Sequence, residues 1–354
     1  MATVLAPAPA RTRSLHDVPL PVCVLVLSAL LAVVVVLAAG IGSVSIPAGD
    51  AWRIVAAHLT GQPVAGDPAL DQILWNFRVP RVLLAALCGA GLAVAGVVLQ
   101  ALTGNPLADP YILGVSAGGS VGAVLVLSAT AGTLGGLGVS GAAFLGAMLA
   151  VGLVFLLGQR RGRLDPVRLI LAGVAVSYAF TSITSYLQLR AAPNDMRQIM
   201  FWLLGSVSGA HWSQLSVVGV VVVAATLLLT LFGRQLNALV TGDESATALG
   251  VDVRRLRIGL IVLTSLLAGA MIAVAGGIGF VGLMVPHLVR MAFGADHRRL
   301  LPLSALVGAL YLVVVDLLSR TLDAPNELPL NVLTALFGAP FFVWLLRRDR
   351  SVMS

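Results

Sequence analysis

Residues 80–101 read PRVLLAALCGAGLAVAGVVLQA, a run of 22 residues whose one charged side chain, Arg81, stands near its start. At about 1.5 Å of rise per residue, a helix of this length covers the roughly 30 Å of hydrocarbon in a bilayer. Its glycines, which include Gly89, Gly91 and Gly96, remove the side-chain bulk that keeps neighbouring helices apart. The run therefore predicts a membrane-spanning helix that packs closely against others, although some of these small residues could instead line a path.

The same pattern recurs along the whole chain. Runs of about 17 to 23 apolar residues, separated by Gly, Pro or charged breaks, are typical of spanning helices. They lie at 19–41, 80–101, 111–130, 137–158, 166–188, 213–233, 256–276, 278–293, 302–320 and 329–347. We therefore predict an all-α, polytopic membrane protein of about ten transmembrane helices, in one domain of residues 19–347 with tails at 1–18 and 348–354.

Composition excludes several classes of protein. Hydrophobic residues make up 58% of the chain and charged residues 10%, whereas about a quarter of a soluble domain is charged. All 22 basic residues are arginine, and a chain without lysine cannot form the P-loop that holds ATP phosphates. The chain also lacks H-E-x-x-H and G-x-S-x-G motifs, and Cys23 and Cys88 have no Cys or His at metal-binding spacing. We expect no catalysis, no metal or cofactor on this chain and no nucleic-acid partner, with the lipid bilayer as its solvent.

Arginine is unevenly divided between the two sides of the predicted bundle. The side with more arginine faces the cytosol under the positive-inside rule. Six arginines fall on the poorer side, at positions 53, 78, 81, 190, 197 and 320, and the other 16 fall on the side of both termini. We therefore predict cytosolic termini. An echo between residues 92–96 (LAVAG) and 272–276 (IAVAG) either reflects two inverted five-helix repeats or is a chance match.

A polar break with two prolines, NPLADP at residues 105–110, separates the second and third predicted spans on the arginine-rich side. Proline stops a helix and biases the residue before it away from helical geometry, so a tight turn is one interpretation. A polar break beside small residues is also what a gate at the inner mouth of a path requires. The candidate gate and path residues are Gln100, Asn105, Pro106, Leu107, Gly114 and Ser116.

The longest loop on the arginine-rich side, about residues 234–257, contains TGDESATALG at 241–250. This stretch predicts a short helix with acidic residues near its positive N-terminal end and a glycine after its last turn. It is either an interfacial turn or a plug for a groove in a partner protein. The residues that would form the plug are Gly242, Asp243, Glu244, Ala246, Leu249 and Gly250.

Three arginines stand on the side where the positive-inside rule makes them unexpected: Arg78, Arg81 and Arg320. They could anchor helix ends at the headgroups, or they could receive carboxylates of an external docking protein, because a guanidinium binds a carboxylate with a planar fork. Asp316 and His287 are the main ionisable residues inside the spans. We interpret Asp316 as a structural partner of Arg320, one helical turn away.

Together these features resemble the FecCD-family permeases, the membrane subunits of bacterial ABC importers for ferric siderophores, vitamin B12 and haem. The resemblance covers about residues 40–347. The matching motifs are RVPR (78–81), Gly96 to Gln100, NPLADP (105–110), GVS (114–116), LAGV (171–174), Arg197 to Trp202 with Gly205 and Ser206, Ala246 to Gly250, GFVGL (279–283), PHLVR (286–290), ELP (327–329) and GAP (338–340). Family members often have Gly-Ala after GVS, where this chain has Ala117-Gly118-Gly119.

The resemblance implies a homodimer or heterodimer of ten-helix subunits in the bacterial cytoplasmic membrane, with two cytosolic ATPase subunits that bind ATP and Mg. It implies that the 243–250 helix is the ATPase-coupling element, and that Arg78, Arg81 and Arg320 accept acidic residues of an extracytoplasmic substrate-binding protein. Asn105 and Leu107 match inner-gate positions, and residues 197–206 match a short external helix. The implied function is import of an iron-siderophore-type chelate, cobalamin or haem by alternating access.

Two other functions fit parts of the sequence. An ion-coupled secondary transporter without an ATPase partner would depend on Asp316, although such carriers usually keep more polar residues at mid-membrane. A structural or assembly subunit would transport nothing. Substrate-dependent ATP hydrolysis in vesicles separates all three.

Overall fold

A computed structural model describes residues 15–348, apart from 43, 45, 65, 131–134, 161, 162 and 165. Its helices form where the apolar runs lie between Gly and Pro breaks. In chain order they are α1 (Leu20–Gly40), α2 (Ala48–Thr60), α3 (Pro68–Asp71), α4 (Val79–Thr103), α5 (Val115–Thr130), α6 (Gly135–Leu157), α7 (Pro166–Arg190), α8 (Pro193–Leu203), α9 (Trp212–Leu231), α10 (Gly233–Val240), α11 (Asp243–Ala248), α12 (Val253–Ala275), α13 (Val281–Phe293), α14 (His297–Ser319) and α15 (Leu330–Arg348).

The all-α, polytopic fold is confirmed. In the described part of the chain, seven helices are long and apolar enough to cross a membrane, and α5, α13 and α15 are shorter apolar helices. These ten stand at the ten predicted positions. The second span is longer than predicted because α3 continues through a π-helical turn, Gln72–Arg78, into α4. Most of the predicted tails, at 1–14 and 349–354, lie outside the described residues.

Smaller elements connect the spans. Gln159–Arg160 and Arg163–Leu164 pair as a short antiparallel hairpin between α6 and α7. The amphipathic helix α2 had no counterpart in the sequence prediction. The short helix expected at 197–206 is α8, which begins at Pro193 and ends at Leu203, because the chain turns at Gly205, where φ is +76°.

Helix α4 is the centre of the bundle, and it packs against α9, α12, α13 and α14. Two glycines on α4 make this packing close: a Cβ at Gly89 would lie 2.1 Å from the carbonyl oxygen of Gly308, and a Cβ at Gly96 would lie 1.9 Å from that of Gly282. Backbones of different helices therefore touch at both crossings. Close packing of this kind is how small residues stabilise helix pairs in lipid, where burial of apolar surface contributes little.

We expect Gly96→Leu to prevent correct folding, because the new side chain meets the backbone of α13, which has no flexible end to move aside. The measurement is the yield of monodisperse protein in detergent by size-exclusion chromatography. Gly152→Leu in α6 is the matched control, since a Cβ there meets nothing within 4 Å. Normal yield of the Gly96 variant would contradict the described crossing of α4 and α13.

A break in the helices lies inside the bundle, where residues 276–280 separate α12 from α13. Two of its backbone N–H groups bind protein side chains: Ile278 N donates to the Tyr111 hydroxyl oxygen (2.6 Å), and Gly279 N donates to Asn331 Oδ1 (2.9 Å). Irregular backbone at membrane depth is tolerated where protein buries it or where it lines a cavity. At the break, Phe280 adopts a left-handed φ of +67°, a conformation that costs a non-glycine residue energy.

Two ends of the bundle can be assigned from contacts between distant segments. Arg299 donates to the carbonyl of Val18 (2.6 Å), and Asn237 donates to Asp296 (2.8 Å), so the start of α1, α10 and the start of α14 share one end. We refer to it as the arginine-rich end. The end of α1, the start of α4 and the end of α14 share the opposite end, where Arg320 donates to the carbonyl of Ile41 (3.0 Å). Which end faces the cytosol stays a prediction.

Candidate functional site

The short helix expected between the sixth and seventh spans is α11, at the arginine-rich end. It begins after Gly242, where φ is +109°, and it stops at Gly250, where φ is +83°. At the stop, Val251 N donates to the Ala246 carbonyl (3.0 Å) and Gly250 N donates to the Thr247 carbonyl (2.9 Å). This is a Schellman motif, in which glycine adopts the left-handed conformation without a Cβ clash. The predicted helix and its glycine stop are therefore confirmed, while its coupling role stays a prediction.

One face of α11 is fixed to the bundle and another is exposed. Ala246 is fully buried, and the Asp243 carboxylate accepts a hydrogen bond from Arg257 Nη2 of α12 (2.7 Å). Leu249, just past the last turn, has 71% of its surface exposed, and Glu244 is also exposed. An exposed leucine on a small anchored helix is a surface that a partner's groove can bind. A force on α11 would pass directly to α12.

Helix α10 carries a second connection from the same loop. Asn237 donates to Asp296 Oδ1 (2.8 Å) and accepts from the backbone N of His297 at the start of α14 (2.9 Å). Hydrogen bonds from Arg298 and Asn237 hold the pKa of the Asp296 carboxyl well below its ordinary value, so Asp296 stays ionised at neutral pH. The loop from α10 to α11 is therefore tied to both α12 and α14.

The predicted gate residues separate into three groups. Asn105 lies in an exposed turn, where its Oδ1 accepts from Leu107 N (2.9 Å), and Pro106 lines a cavity of about 450 Å³ at the arginine-rich end. Leu107 is half exposed. These three residues therefore form a surface turn at the mouth of that cavity. Their role as a gate stays a prediction.

Gln100 lies inside the bundle instead of in the turn. Its side-chain amide donates to the carbonyl of Gly282 (3.2 Å), and its Oε1 accepts from Arg290 Nη2 (2.9 Å). It thus joins α4 to α13 just beyond the Gly96 crossing, and it borders the same cavity of about 450 Å³.

Gly114 and Ser116 lie beyond that turn, where α5 begins. Gly114, with a φ of +74°, ends the 3-10 turn Pro110–Leu113 and starts α5. Ser116 lies beside Gly277, since a Cβ at Gly277 would lie 3.6 Å from its hydroxyl oxygen. Tyr111, on the same turn, accepts from Ile278 N, a contact that sequence reasoning missed. Ser116 therefore borders the non-helical segment between α12 and α13, whereas Gly114 faces α6 and α7, since a Cβ there would lie 3.7 Å from Ala150 and 3.5 Å from Val176.

The three unexpected arginines meet at the opposite end, where all are buried. Arg78 donates to the carbonyls of Gly40 (2.9 Å) and Val44, and Arg320 donates to those of Ala38 (2.6 Å) and Ile41 (3.0 Å). These are the last carbonyls of α1 and the residues after it, which have no partner within the helix. Cations at this end also interact favourably with the helix dipole. Capping of α1 explains two arginines on the side where few are expected.

Arg81 binds two carboxylates that are distant in the sequence. Its Nε donates to Asp316 Oδ1 (2.8 Å), and its Nη1 donates to Glu327 Oε1 (2.6 Å). Asp316 is fully buried, and its other oxygen lies 3.4 Å from Arg320 Nε. The predicted pairing of Asp316 with Arg320 is confirmed, and Arg81 is an additional partner.

A cavity of about 290 Å³ opens beside this cluster, and we refer to it as the arginine cavity. Its charged lining consists of Arg78, Arg81, Arg320 and one carboxylate, Glu327, with the Ser208 hydroxyl beside them. Three guanidinium groups stand against two carboxylates, Glu327 in the lining and the buried Asp316, so the cluster keeps a net positive charge. It can accept a carboxylate from outside. That the arginines bind a docking protein stays a prediction.

The remaining polar chemistry is sparse. Among the described residues no group of three or more His, Cys, Asp or Glu side chains could hold a metal ion, and Cys23 and Cys88 are buried and unpaired. The architecture is a helical membrane bundle with a central helix, a buried helix break and small elements at each end. Broken helices at membrane depth are typical of transporters.

Comparison with known proteins identifies the family. A sequence model of the FecCD transport family matches residues 30–348, and the chain belongs to that family. The chain is 42% identical to the uncharacterized ABC transporter permease protein YvrB of Bacillus subtilis, over 90% of this chain and 91% of that protein. It is 40% identical to the hemin transport system permease protein HmuU of Yersinia pestis, over 93% of this chain and 97% of that protein. It is 44% identical to the vitamin B12 import system permease protein BtuC of Vibrio cholerae, over 79% of this chain and 84% of that protein.

A solved structure supports the same assignment. The chain matches an ABC transporter assigned to the metal-chelate type, in an inward-facing conformation, with a TM-score of 0.80 and 35% identity, over 93% of this chain and 99% of that one. The chain is accordingly a multi-pass membrane protein of the ABC importer permease class.

Proposed function

We propose that the protein is the transmembrane subunit of an ATP-driven importer for an iron-siderophore-type chelate, cobalamin or haem, and that it works by alternating access. Two copies, or one copy and a related permease, form the path, and two cytosolic ATPase subunits supply the energy. The observation that carries the proposal is α11, an anchored helix with an exposed leucine tied to α12 through Arg257 and Asp243.

The mechanism follows from the connections of α11. Nucleotide binding by the ATPases moves α11, and α12 transmits the movement to the break at 276–280. There, the contacts of Tyr111 with Ile278 and of Asn331 with Gly279 join the break to α5 and α15. Rearrangement of a few non-helical residues changes helix orientation at low cost, which is how alternating access moves rigid helices. The exposed turn at Asn105–Leu107 closes the path at the arginine-rich end, which we assign to the cytosol.

A loaded binding protein docks at the other end. The three arginines of the arginine cavity stand against two carboxylates, Glu327 and Asp316, so the net charge is positive and an acidic side chain of the binding protein complements it. The cargo class is supported by the relatives, whose names include hemin, vitamin B12 and iron(3+) dicitrate. The scarcity of ionisable groups inside the described spans suits a large chelate better than a small coupled ion.

Vesicle transport tests the function. The permease is reconstituted with its ATPase inside vesicles, and uptake of a radiolabelled ferric siderophore, cobalamin or haem is measured with the binding protein outside. We expect uptake with internal ATP and none when a proton or sodium gradient replaces ATP. Uptake driven by an ion gradient without the ATPase would instead support a secondary transporter.

Docking can be tested separately at Ser208, which lines the arginine cavity. We expect Ser208→Glu to weaken binding-protein capture by about tenfold, because the new carboxylate competes for the arginines. The affinity is measured by surface plasmon resonance on permease in nanodiscs. Gln62→Glu changes the charge equally at an exposed position outside the cavity and is expected to bind normally. Equal affinity of both variants would place docking elsewhere.

A further inference from the structure

A large groove lies near the arginine-rich end, between the last turn of α9, helix α10 and the first half of α12. Its volume is about 1010 Å³, and its walls are apolar, with Leu228, Leu256, Leu263 and Leu266 among them. Of the residues that line the groove, the proposed function uses Leu249 and Gly250 at the end of α11 and none of these apolar walls. Leu228 and Leu266 are exposed side chains on membrane-spanning helices, so the groove opens sideways on the surface of the bundle.

The groove has unoccupied space beside α12. Gly259 lines it, and a Cβ at Gly259 would meet nothing within 4 Å. The groove also extends along α12 into the bilayer: Leu266 follows Arg255 by eleven residues, about 16 Å at helical rise. A cytosolic protein cannot reach apolar walls at this depth, whereas an acyl chain can.

The mouth of the groove carries positive charge. Arg234 and Arg255 line it with one carboxylate, Asp252, which forms an ion pair with Arg255 Nε at 3.1 Å. Arg234 is exposed and makes no hydrogen bond or ion pair among the described residues. A guanidinium at the membrane surface above an apolar slot is arranged to bind a phosphate whose chain enters the slot.

We propose that this groove binds an anionic phospholipid, with its phosphate on Arg234 and Arg255 and one acyl chain between α9 and α12. Net positive charge at the mouth favours an anionic headgroup over a zwitterionic one. Because Leu249 and Gly250 also line the groove, the lipid would lie against the stop of α11. The inference rests on one part of the proposed function, the assignment of the arginine-rich end to the cytosolic side of the membrane. It depends on neither the cargo nor the ATPase.

The test is native mass spectrometry of the full chain, released from micelles with phosphatidylglycerol or phosphatidylcholine added. We expect retained phosphatidylglycerol, and about fivefold weaker retention for Arg234→Gln. Arg254→Gln removes the same charge from an exposed neighbour that does not line the groove, and it is expected to retain lipid normally. Equal retention of the two lipids, or equal effects of the two arginine variants, would overturn the proposal.

Gly259→Leu fills the part of the groove proposed to hold the acyl chain. It does so without disturbing packing, since leucine is a better helix former than glycine and a Cβ at this position meets nothing within 4 Å. We expect this variant to fold and to lose phosphatidylglycerol retention. Full retention would overturn the proposal. Loss of ATPase co-purification with lipid retention unchanged would assign the groove to a protein partner and overturn it as well. Lipid retention is measured on the permease alone, so failure of the proposed transport function would leave this result unaffected.

Discussion

Replacing Leu249 with aspartate is expected to lower ATP-driven uptake by about thirtyfold or more, which corresponds to the loss of one central contact worth about 2 kcal/mol. Leu249 has 71% of its surface exposed beside the anchored helix α11, so the substitution removes little contact within the fold. In the proposed complex the aspartate would be buried against the ATPase without a partner for its charge. Uptake and ATPase co-purification measured on the same vesicles check this result.

Two controls separate coupling from damage. Leu249→Met keeps an apolar side chain of similar size and is expected to retain uptake. Leu59→Asp, in α2 at the opposite end, places the same charge at a position with 74% exposure and is expected to leave ATPase binding unchanged. Normal uptake by Leu249→Asp with the ATPase still bound would remove α11 from the mechanism.

Replacing Arg81 with methionine is expected to destabilise the protein by about 3–5 kcal/mol, the usual cost of removing one partner from a buried ion pair. Asp316 is fully buried, and without Arg81 its nearest cation is Arg320, with 3.4 Å between Oδ2 and Nε. The carboxylate would remain desolvated and poorly compensated. The measurement is the midpoint of thermal unfolding in detergent.

The double variant Arg81→Met with Asp316→Leu is expected to recover part of the lost stability, since an apolar pair of similar volume often replaces a buried ion pair without loss, while buried Arg320 loses its carboxylate partner. A further variant, Asp316→Asn, separates a structural role of Asp316 from a role in ion coupling. We expect ATP-driven uptake per folded molecule to persist in this variant. If Asp316→Asn abolished uptake while the protein stayed folded, Asp316 would act in ion coupling instead of in packing.

The spans were predictable because the length of an apolar run and its Gly or Pro ends are local signals. Helix α11 was predictable for the same reason: Gly242 and Gly250 mark its ends, and both adopt positive φ. Its acidic first turn and its small buried residue, Ala246, are also visible in the sequence. Nothing local, however, indicates that Asp243 binds Arg257 across the loop.

The partners of the outer arginines were not predictable. Arg81 and Asp316 are 235 residues apart, so no periodicity connects them. Arg78 and Arg320 bind backbone carbonyls of α1, and a carbonyl has no residue-specific signal. The sequence showed only that the arginines stand on the unexpected side, a pattern that fits helix capping as well as docking.

The helix break was only partly predictable. Glycines at 276, 277 and 279 interrupt the apolar run. The non-glycine residue with a left-handed backbone is Phe280, however, and a bulky residue rarely adopts that conformation. Its ring lies against Gly338 of α15, where a Cβ would be 2.3 Å from it, so tertiary packing accounts for the conformation. Long-range packing of this kind overrides local preference and leaves no pattern in one sequence.

The most direct test of the central claim is thiol labelling of Leu249→Cys in intact, oriented membranes. Cys23 and Cys88 are buried, so a membrane-impermeant maleimide reports on the new thiol. The account predicts labelling from the cytosolic side alone, protection when the ATPase binds, and a change in protection when ATP is added. Labelling from the outside, or labelling that neither the ATPase nor ATP alters, would contradict it.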